Sequence, residues 1–176
     1  ERARLSKLPV LTHFERDAGA YITSPVVSAR STDGKIENVS IHRLQVLDDR
    51  HLAVRLVPRH LYQMWKTAKE KKEHLDVAIS IGTHPAVMLA AASPVSFGVS
   101  EFGVANAFLN NKMPLVKCEN VDAYAPAEAE MVLEGKILTD RDVAEGPLVD
   151  ITGTYDIQRN QPVIELVSMM HRRDYM

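Results

Sequence analysis

The chain has 176 residues, 45% of them hydrophobic and 25% charged, with a net charge of −2. That length predicts one domain spanning 1–176, and the composition is that of an ordinary soluble globular chain. The slightly acidic balance argues against a general nucleic-acid binder, and no apolar run approaches the ~18 residues needed to span a bilayer. One cysteine, Cys118, excludes an internal disulfide framework and a thiolate metal cluster. It reads as a buried small hydrophobe, and a cytoplasmic location fits. No signal peptide is visible at Glu1, where a chain starting without Met has been cut or processed.

Residues 1–18 are polar and mixed in charge, and are expected to form a leading arm packed loosely on the body. Tyr21 to Ala29 is rich in β-branched residues and predicts a strand, with Pro25 marking an edge or bulge. Ser31 to Gly34 is a turn signal. Asn38 to Val57 predicts a hairpin turning at Asp48, Asp49 and Arg50. Pro58 then opens a helix whose Leu61, Met64, Trp65 and Ala68 share one face. The cationic run from Lys66 to Lys72 reads as its solvated end. Leu75 to Ile81 predicts a central strand, Pro85 to Ala92 a small apolar helix ended by Ser93 and Pro94. A further helix follows from Glu101 to about Leu109, with Ser100 as its N-cap. Leu115 to Cys118, Ala129 to Leu138 and Pro162 to Met170 predict strands, and Thr139 to Thr154 a polar loop. The chain stops in HRRDYM. Many short strands with a few helices suggest an α+β chain: an antiparallel barrel with helical insertions. No G-x-G-x-x-G follows a strand, so a doubly wound sheet is disfavoured.

Within the predicted hairpin stand residues that strand interiors avoid: Asn38, His42, Arg43 and Arg55. A cation facing a buried surface costs several kcal/mol unless an anion meets it, so these side chains face solvent or an anion sits among them. No H-E-x-x-H, P-loop, C-x-x-C or G-x-S-x-G is present. Asn38, His60 and Glu101 offer an amide oxygen, an imidazole and a carboxylate, a set that suits Mn²⁺ or Mg²⁺. They also suit a turn Asn, a helix-start His and an acid at a helix N-terminus. Arg43 with Glu145 and Asp150, two carboxylates five residues apart in a Gly-Pro loop, can form an acid/base unit or a solvated acidic loop.

The segments NVSIHR, RLVPRHL, GTHPAVMLAAASP, GVSEFGVANA, LVKCENVDAYAPAEAEMVLEG and AEGPLVDITGTY resemble the UbiD family of reversible decarboxylases, in family order and over nearly the whole chain. THFERDAGAYITS is similar to the family's entry into its middle domain. The resemblance implies a split β-barrel of the flavin-reductase-like type, as the isolated middle domain of a larger enzyme. That enzyme has its own N- and C-terminal domains and a homo-oligomeric full-length form. It implies prenylated FMN, held through its phosphate by a divalent metal and K⁺. Asn38, His60 and Glu101 fall on the metal positions. Ile41, His42 and Arg43 fall on the first cofactor strand, Arg55, Leu56 and Val57 on the second, His60 beside them, and Ser93 and Pro94 near the phosphate and K⁺ loop. Arg43, Glu145 and Asp150 fall on the catalytic trio. The implied reaction removes carbon dioxide from a small aromatic or α,β-unsaturated carboxylic acid. Arg43 orients the carboxylate, neutral Asp150 returns a proton to carbon, and Glu145 tunes both. Where the family reads EGPFGD this chain reads EGPLVD, and Leu148 and Val149 reshape the pocket. The competing expectations are a plain FMN-binding oxidoreductase on the same barrel and a non-catalytic assembly domain. The fragment alone is expected to be inactive.

Overall fold

The structure is a computed structural model that describes residues 3–174. Glu1 and Arg2 of the leading arm, and Tyr175 and Met176 of the closing HRRDYM, lie outside the described residues. Twelve strands, three α-helices and one 3-10 turn (Leu5–Lys7) are present among them. Eight strands form one antiparallel sheet: β1 (Tyr21–Ile22), β4 (Leu44–Val46), β5 (His51–Val54), β12 (Arg159–His171), β9 (Met131–Glu145), β6 (Leu75–Ile81), β2 (Val26–Arg30) and β3 (Glu37–Ile41), in that spatial order. Two small hairpins stand apart: β7 (Leu115–Lys117) with β8 (Tyr124–Pro126), and β10 (Leu148–Val149) with β11 (Tyr155–Asp156).

The connection between β3 and β4 forces this sheet to curl. The two strands stand six spacings apart in the sheet order, and only His42 and Arg43 join them. Laid flat, six spacings of about 4.8 Å would need about 29 Å. Three Cα–Cα steps reach about 11 Å. The sheet therefore wraps round until β3 comes beside β4 and β5, with no ladder across the join among the described residues. The result is an α+β split barrel of the flavin-reductase-like type, with a seam rather than full closure. Its spine is the long β9–β12 ladder, irregular between Pro162 and Ile164 and again between Leu166 and Ser168. Such irregularities increase local twist and bend. Gly135 lies on this spine where a Cβ would come 2.8 Å from the Glu165 carbonyl oxygen, so a side chain there would push the two strands apart.

The barrel interior is filled by Val27 and Ala29 of β2, Leu52 and Val54 of β5, Val77 and Ile79 of β6, Leu133 and Ile137 of β9, and Ile164 and Leu166 of β12. Helix α1 (His60–Glu70) inserts Leu61, Met64, Trp65 and Ala68, the predicted face, into the same core. Trp65 also donates its indole N–H to the Leu138 carbonyl at 3.0 Å, so its one polar atom is satisfied. Two helices cover the outer face of β2 and β3. Helix α2 (Pro85–Ala91) starts with proline at its first position and with His84 Nδ1 accepting from Ala86 N–H. Helix α3 (Glu101–Phe108) packs Phe102 and Ala105 with Val87, Ala90, Val26 and Val39. The β7–β8 flap buries Cys118, Val121, Ala123 and Ala125 against Ala78 and Val132.

Five predictions of local structure change. The leading arm is not loose: Ala3 and Leu5 are buried, and Leu5 N–H donates to Asp49 O at 3.0 Å. Tyr21 to Ala29 is two strands, broken at Thr23–Pro25, with β1 at one edge of the sheet order and β2 next to the other edge. The Asn38–Val57 hairpin is three strands, because β3 leaves to pair with β2 while β4 and β5 keep the tight turn. The expected polar loop from Thr139 is strand as far as Glu145, because β12 supplies partners from Arg159 onward. Ser100 precedes α3 but its hydroxyl does not cap it, donating instead to Glu37 Oε2.

Burial, followed by the negative charge of Glu134, pushes the Cys118 thiol up to about 12. Only the thiolate is nucleophilic. Cys118 is therefore expected to resist Ellman's reagent at pH 8 in folded protein and to react fully in denaturant, which a stopped reaction series in both conditions checks.

Candidate functional site

The seam that closes the barrel also collects the charged residues. Arg43 stands in the two-residue crossing and turns its guanidinium onto Glu145, the last residue of β9. Its Nε donates to Glu145 Oε1 at 2.8 Å and its Nη2 to Oε2 at 2.9 Å, a two-point ion pair. Glu145 is fully buried. Tyr21 donates to the same carboxylate at 3.2 Å and sits 3.1 Å from Gln45 Oε1. Burial, then the Glu145 charge, holds the Tyr21 phenol far above its usual range, so it stays a donor. Nη2 of Arg43 also donates to Asp156 at 3.1 Å, and Arg55 approaches that carboxylate at 3.5 Å. Burial would lower the Arg43 pKa, but the hydrogen bond and charge of Glu145 outweigh it and raise it.

A second chain of hydrogen bonds leads away from the seam. The His42 ring is within 2.9 Å of the Arg55 carbonyl through Nδ1 and 2.8 Å of Ser40 Oγ through Nε2. Ser40 Oγ is also 3.1 Å from Asn38 Oδ1. Burial depresses the His42 pKa against the pull of the Arg55 carbonyl, so the ring is neutral at pH 7. A carbonyl can only accept, so the one ring proton lies on Nδ1 and Nε2 is an acceptor. The single Ser40 hydroxyl proton therefore goes to His42, and the buried Asn38 Oδ1 keeps an open lone pair. The Asn38 amide N–H donates to Glu101 Oε1 at 3.0 Å, and Val39 N–H donates to Oε2 at 2.7 Å. Glu101 is buried too. Desolvation raises its pKa against those two hydrogen bonds and the nearby charge of His60. His60, at the first position of α1, packs edge-on against Phe97 with ring centres 5.3 Å apart.

Asn38 Oδ1 and the buried Glu101 carboxylate, with the His60 imidazole near enough to act on that charge, are oxygen and nitrogen donors of the kind that a divalent ion such as Mn²⁺ or Mg²⁺ takes.

Of the predicted residues, the structure thus brings together Asn38 with Glu101, Arg43 with Glu145, and His42 with Arg55. Ile41 ends β3 next to them. Leu56 is buried and its N–H donates to Gln161 at 2.7 Å, while Val57 is exposed. Ser93 gives its hydroxyl to Leu89 O at 2.8 Å and, with Pro94, begins the loop that carries Phe97 onto His60. Asp150 is not brought to Arg43 and Glu145. It is exposed in the tip of the β10–β11 hairpin, where hydrogen bonds from Thr152 and then Thr154 hold its carboxyl below the usual range. It does line a cavity of about 400 Å³ with His13, Phe14, Thr23, Leu148 and Val149.

Ser40, Gln45, Tyr21 and Asp156 were not legible as site residues. Gln45 carries the one usable signal, a polar residue between Leu44 and Val46 in a buried strand. Asp156 gives none, because it lies in a two-residue strand inside a polar run.

The family model described as the UbiD 3-octaprenyl-4-hydroxybenzoate carboxy-lyase Rift-related domain matches residues 1–176. The chain belongs to the UbiD family. It is 48% identical over 175 residues to an anhydromevalonate phosphate decarboxylase from Methanothermobacter thermautotrophicus, covering 99% of this chain and 41% of that protein. A solved UbiD-class enzyme, an evolved dimeric form of HmfF from Pelotomaculum thermopropionicum in complex with prFMN, superposes with a TM-score of 0.95 at 42% identity, over 99% of this chain and 41% of that one. Nitrilotriacetate monooxygenase component B from Bacillus cereus, with a TM-score of 0.55 at 16% identity over 88% of this chain and 73% of that one, shares the fold alone. This UbiD chain spans about two fifths of the length of its decarboxylase relatives.

Removing Arg43 strands a buried anion. Arg43→Met is expected to cost about 3–5 kcal/mol in urea unfolding, and the double variant with Glu145→Met to recover most of it. At Asp156, burial raises the pKa, but Arg159, then Arg43 and Arg55, bring it below the usual range. A depressed carboxyl stabilises the fold above the unfolded pKa of about 4 and loses that effect as pH falls through the native value. The stability gap between wild type and Asp156→Asn should therefore be full at pH 7 and shrink below about pH 4, read from thermal melts across pH.

Proposed function

We propose that this chain is the cofactor-binding middle domain of a cytoplasmic, prenylated-FMN-dependent decarboxylase. Its substrate is a small α,β-unsaturated or aromatic carboxylic acid, and other domains of the same polypeptide and a homo-oligomer complete the enzyme. The observation that carries this reading is the two-point Arg43–Glu145 pair at the barrel seam, adjoining the Asn38–Glu101 donor set. The UbiD membership and the prFMN-bound HmfF relative support it. The relatives' name favours a phosphorylated aliphatic acid of the α,β-unsaturated kind.

Prenylated FMN, when bound, supplies the electron sink for the pair left behind as carbon dioxide departs. Ile41, His42, Arg43, Arg55, Leu56 and Val57 would line it, and Asn38, His60 and Glu101 would hold Mn²⁺ or Mg²⁺ against its phosphate. Ser93 and Pro94 would serve the phosphate and K⁺ end. The chain's own residues do the rest. Glu145 and Asp156 occupy Nε and Nη2 of Arg43, so Nη1, unclaimed among the described residues, is the donor left for a substrate carboxylate. Glu145 keeps that guanidinium fixed before the substrate arrives, which preorganises the site. Asp150 carries the proton that replaces carbon dioxide on carbon. To do so its carboxyl must leave the Thr152–Thr154 turn for a drier place, where desolvation raises its pKa and the acid form persists. Leu148, Val149 and Phe14 make the cavity beside it apolar, which suits an aliphatic tail.

The whole protein, co-expressed with a flavin prenyltransferase, should release carbon dioxide from such an acid and lack the bands of ordinary oxidised flavin; plain flavin bands without activity would favour an FMN oxidoreductase. Asp150→Asn should slow turnover and solvent deuterium uptake by about 10²-fold or more. Separately, Mn²⁺ should raise the melting temperature of the 176-residue chain, and Glu101→Gln should remove that rise. No shift with Mn²⁺ would count against the metal assignment.

A further inference from the structure

Arg43 is gripped from the strand that enters one hairpin and from that hairpin's returning leg. Glu145 ends β9 just before it, and Asp156 lies on the returning leg, opposite Leu148 in the β10–β11 register. Asp156 divides its two oxygens among three arginines. Oδ2 accepts from Arg43 at 3.1 Å and faces Arg55 at 3.5 Å, while Oδ1 accepts from Arg159 at 2.7 Å. Between the two legs stands the turn that carries Asp150. This hairpin pairs only with itself, outside the eight-stranded sheet, and its ladder is two residues long. So short a ladder has little stability of its own. Ala18 N–H on Pro147 O at 2.9 Å, Val149 N–H on Asp17 at 3.2 Å and Arg16 against Tyr155 hold the hairpin to the leading arm, and Arg159 pairs with Glu145 beyond it, but the link from its return leg to the Arg43 and Arg55 guanidinium groups is the Asp156 carboxylate.

We propose that Asp156 is a positioning residue for the decarboxylation described above, on which this inference rests. It sets Nη2 of Arg43 against Arg55 and latches the Asp150 hairpin to them, so that the hairpin from which Asp150 must swing keeps its place relative to Nη1. The charges give the proposal a signature. Arg43, Arg55 and Arg159 face Glu145 and Asp156, a surplus of one positive charge that one substrate carboxylate neutralises. Neutralising Asp156 leaves a surplus of two and frees a donor on Arg43. Anion binding should then tighten while turnover falls, because the hairpin loses its link to the arginines of the seam. General loss of folding lowers turnover without tightening binding.

Two measurements test this. In hydrogen exchange on the 176-residue chain, Asp156→Asn should speed the amides of 148–156 at least tenfold and leave Ile137 and Ile164 of the barrel spine unchanged, and Asp156→Glu should restore most of the protection. In the whole enzyme loaded with prenylated FMN, assayed on a panel of small α,β-unsaturated and aromatic carboxylic acids that includes phosphorylated aliphatic ones, Asp156→Asn should lower kcat at least tenfold while KM falls. Asp156→Glu should stay within about threefold of wild type. Unchanged hairpin exchange, equal acceleration in the spine, or a raised KM would overturn the latch while leaving the decarboxylase reading intact. A wild-type enzyme that decarboxylates none of these acids, yet shows the hairpin-specific exchange, would instead overturn the decarboxylase reading and the catalytic role built on it.

Discussion

A guanidinium buried at the join of a curled sheet is the constraint on which the rest of this molecule turns. Arg43 sits where β3 must reach β4 in two residues, so the chain cannot place it anywhere but the seam. An unpaired cation there would cost several kcal/mol. Glu145 answers it from the end of the longest strand, and Tyr21 and Gln45 close the remaining side of that carboxylate. Three distant stretches of sequence are thereby fixed to one point: the first strand, the crossing and the end of β9. The interior apolar side chains supply most of the stabilisation, but they do not specify where the barrel is left open. The ion pair does.

The donor cluster around Asn38 depends on the same crossing. His42 is the neighbour of Arg43, and its neutral ring decides where the Ser40 proton goes, which in turn leaves Asn38 Oδ1 open beside Glu101. Two adjacent residues therefore prepare both halves of the site, one by charge and one by the direction of a hydrogen bond. The start of α3 joins in through Ser100 and Glu101, which both reach onto β3. A helix N-terminus docked on a strand edge in this way holds a carboxylate where water has been excluded.

Much of this was legible before any coordinates. The faces of α1 and β6, the proline start of α2 and the oddity of His42, Arg43 and Arg55 in an apolar run all follow from local pattern. The anomalous charges marked that stretch as either facing solvent or meeting an anion, because burying them needs partners. What was not legible depends on pairing between distant segments. The break of Tyr21–Ala29 at Pro25 sends its halves six strand positions apart in the sheet, which no local periodicity encodes. Asp140 to Glu145 is polar enough to pass for loop, and becomes strand only because Arg159 to Pro162 lies beside it. The same distance effect hid Asp156 and placed Asp150 in a solvent-facing turn rather than against its supposed partners.

The two-residue crossing has a further effect on how this molecule can vary. Only two residues make the crossing, so one inserted residue at 42–43 would either bulge or turn every following side chain of β4 to the opposite surface. Leu44 would then exchange places with Gln45, sending a methylated side chain towards the carboxylate and an amide into the hydrocarbon interior. Length changes are far easier to absorb in the exposed tip of 151–153, which can vary without disturbing the join.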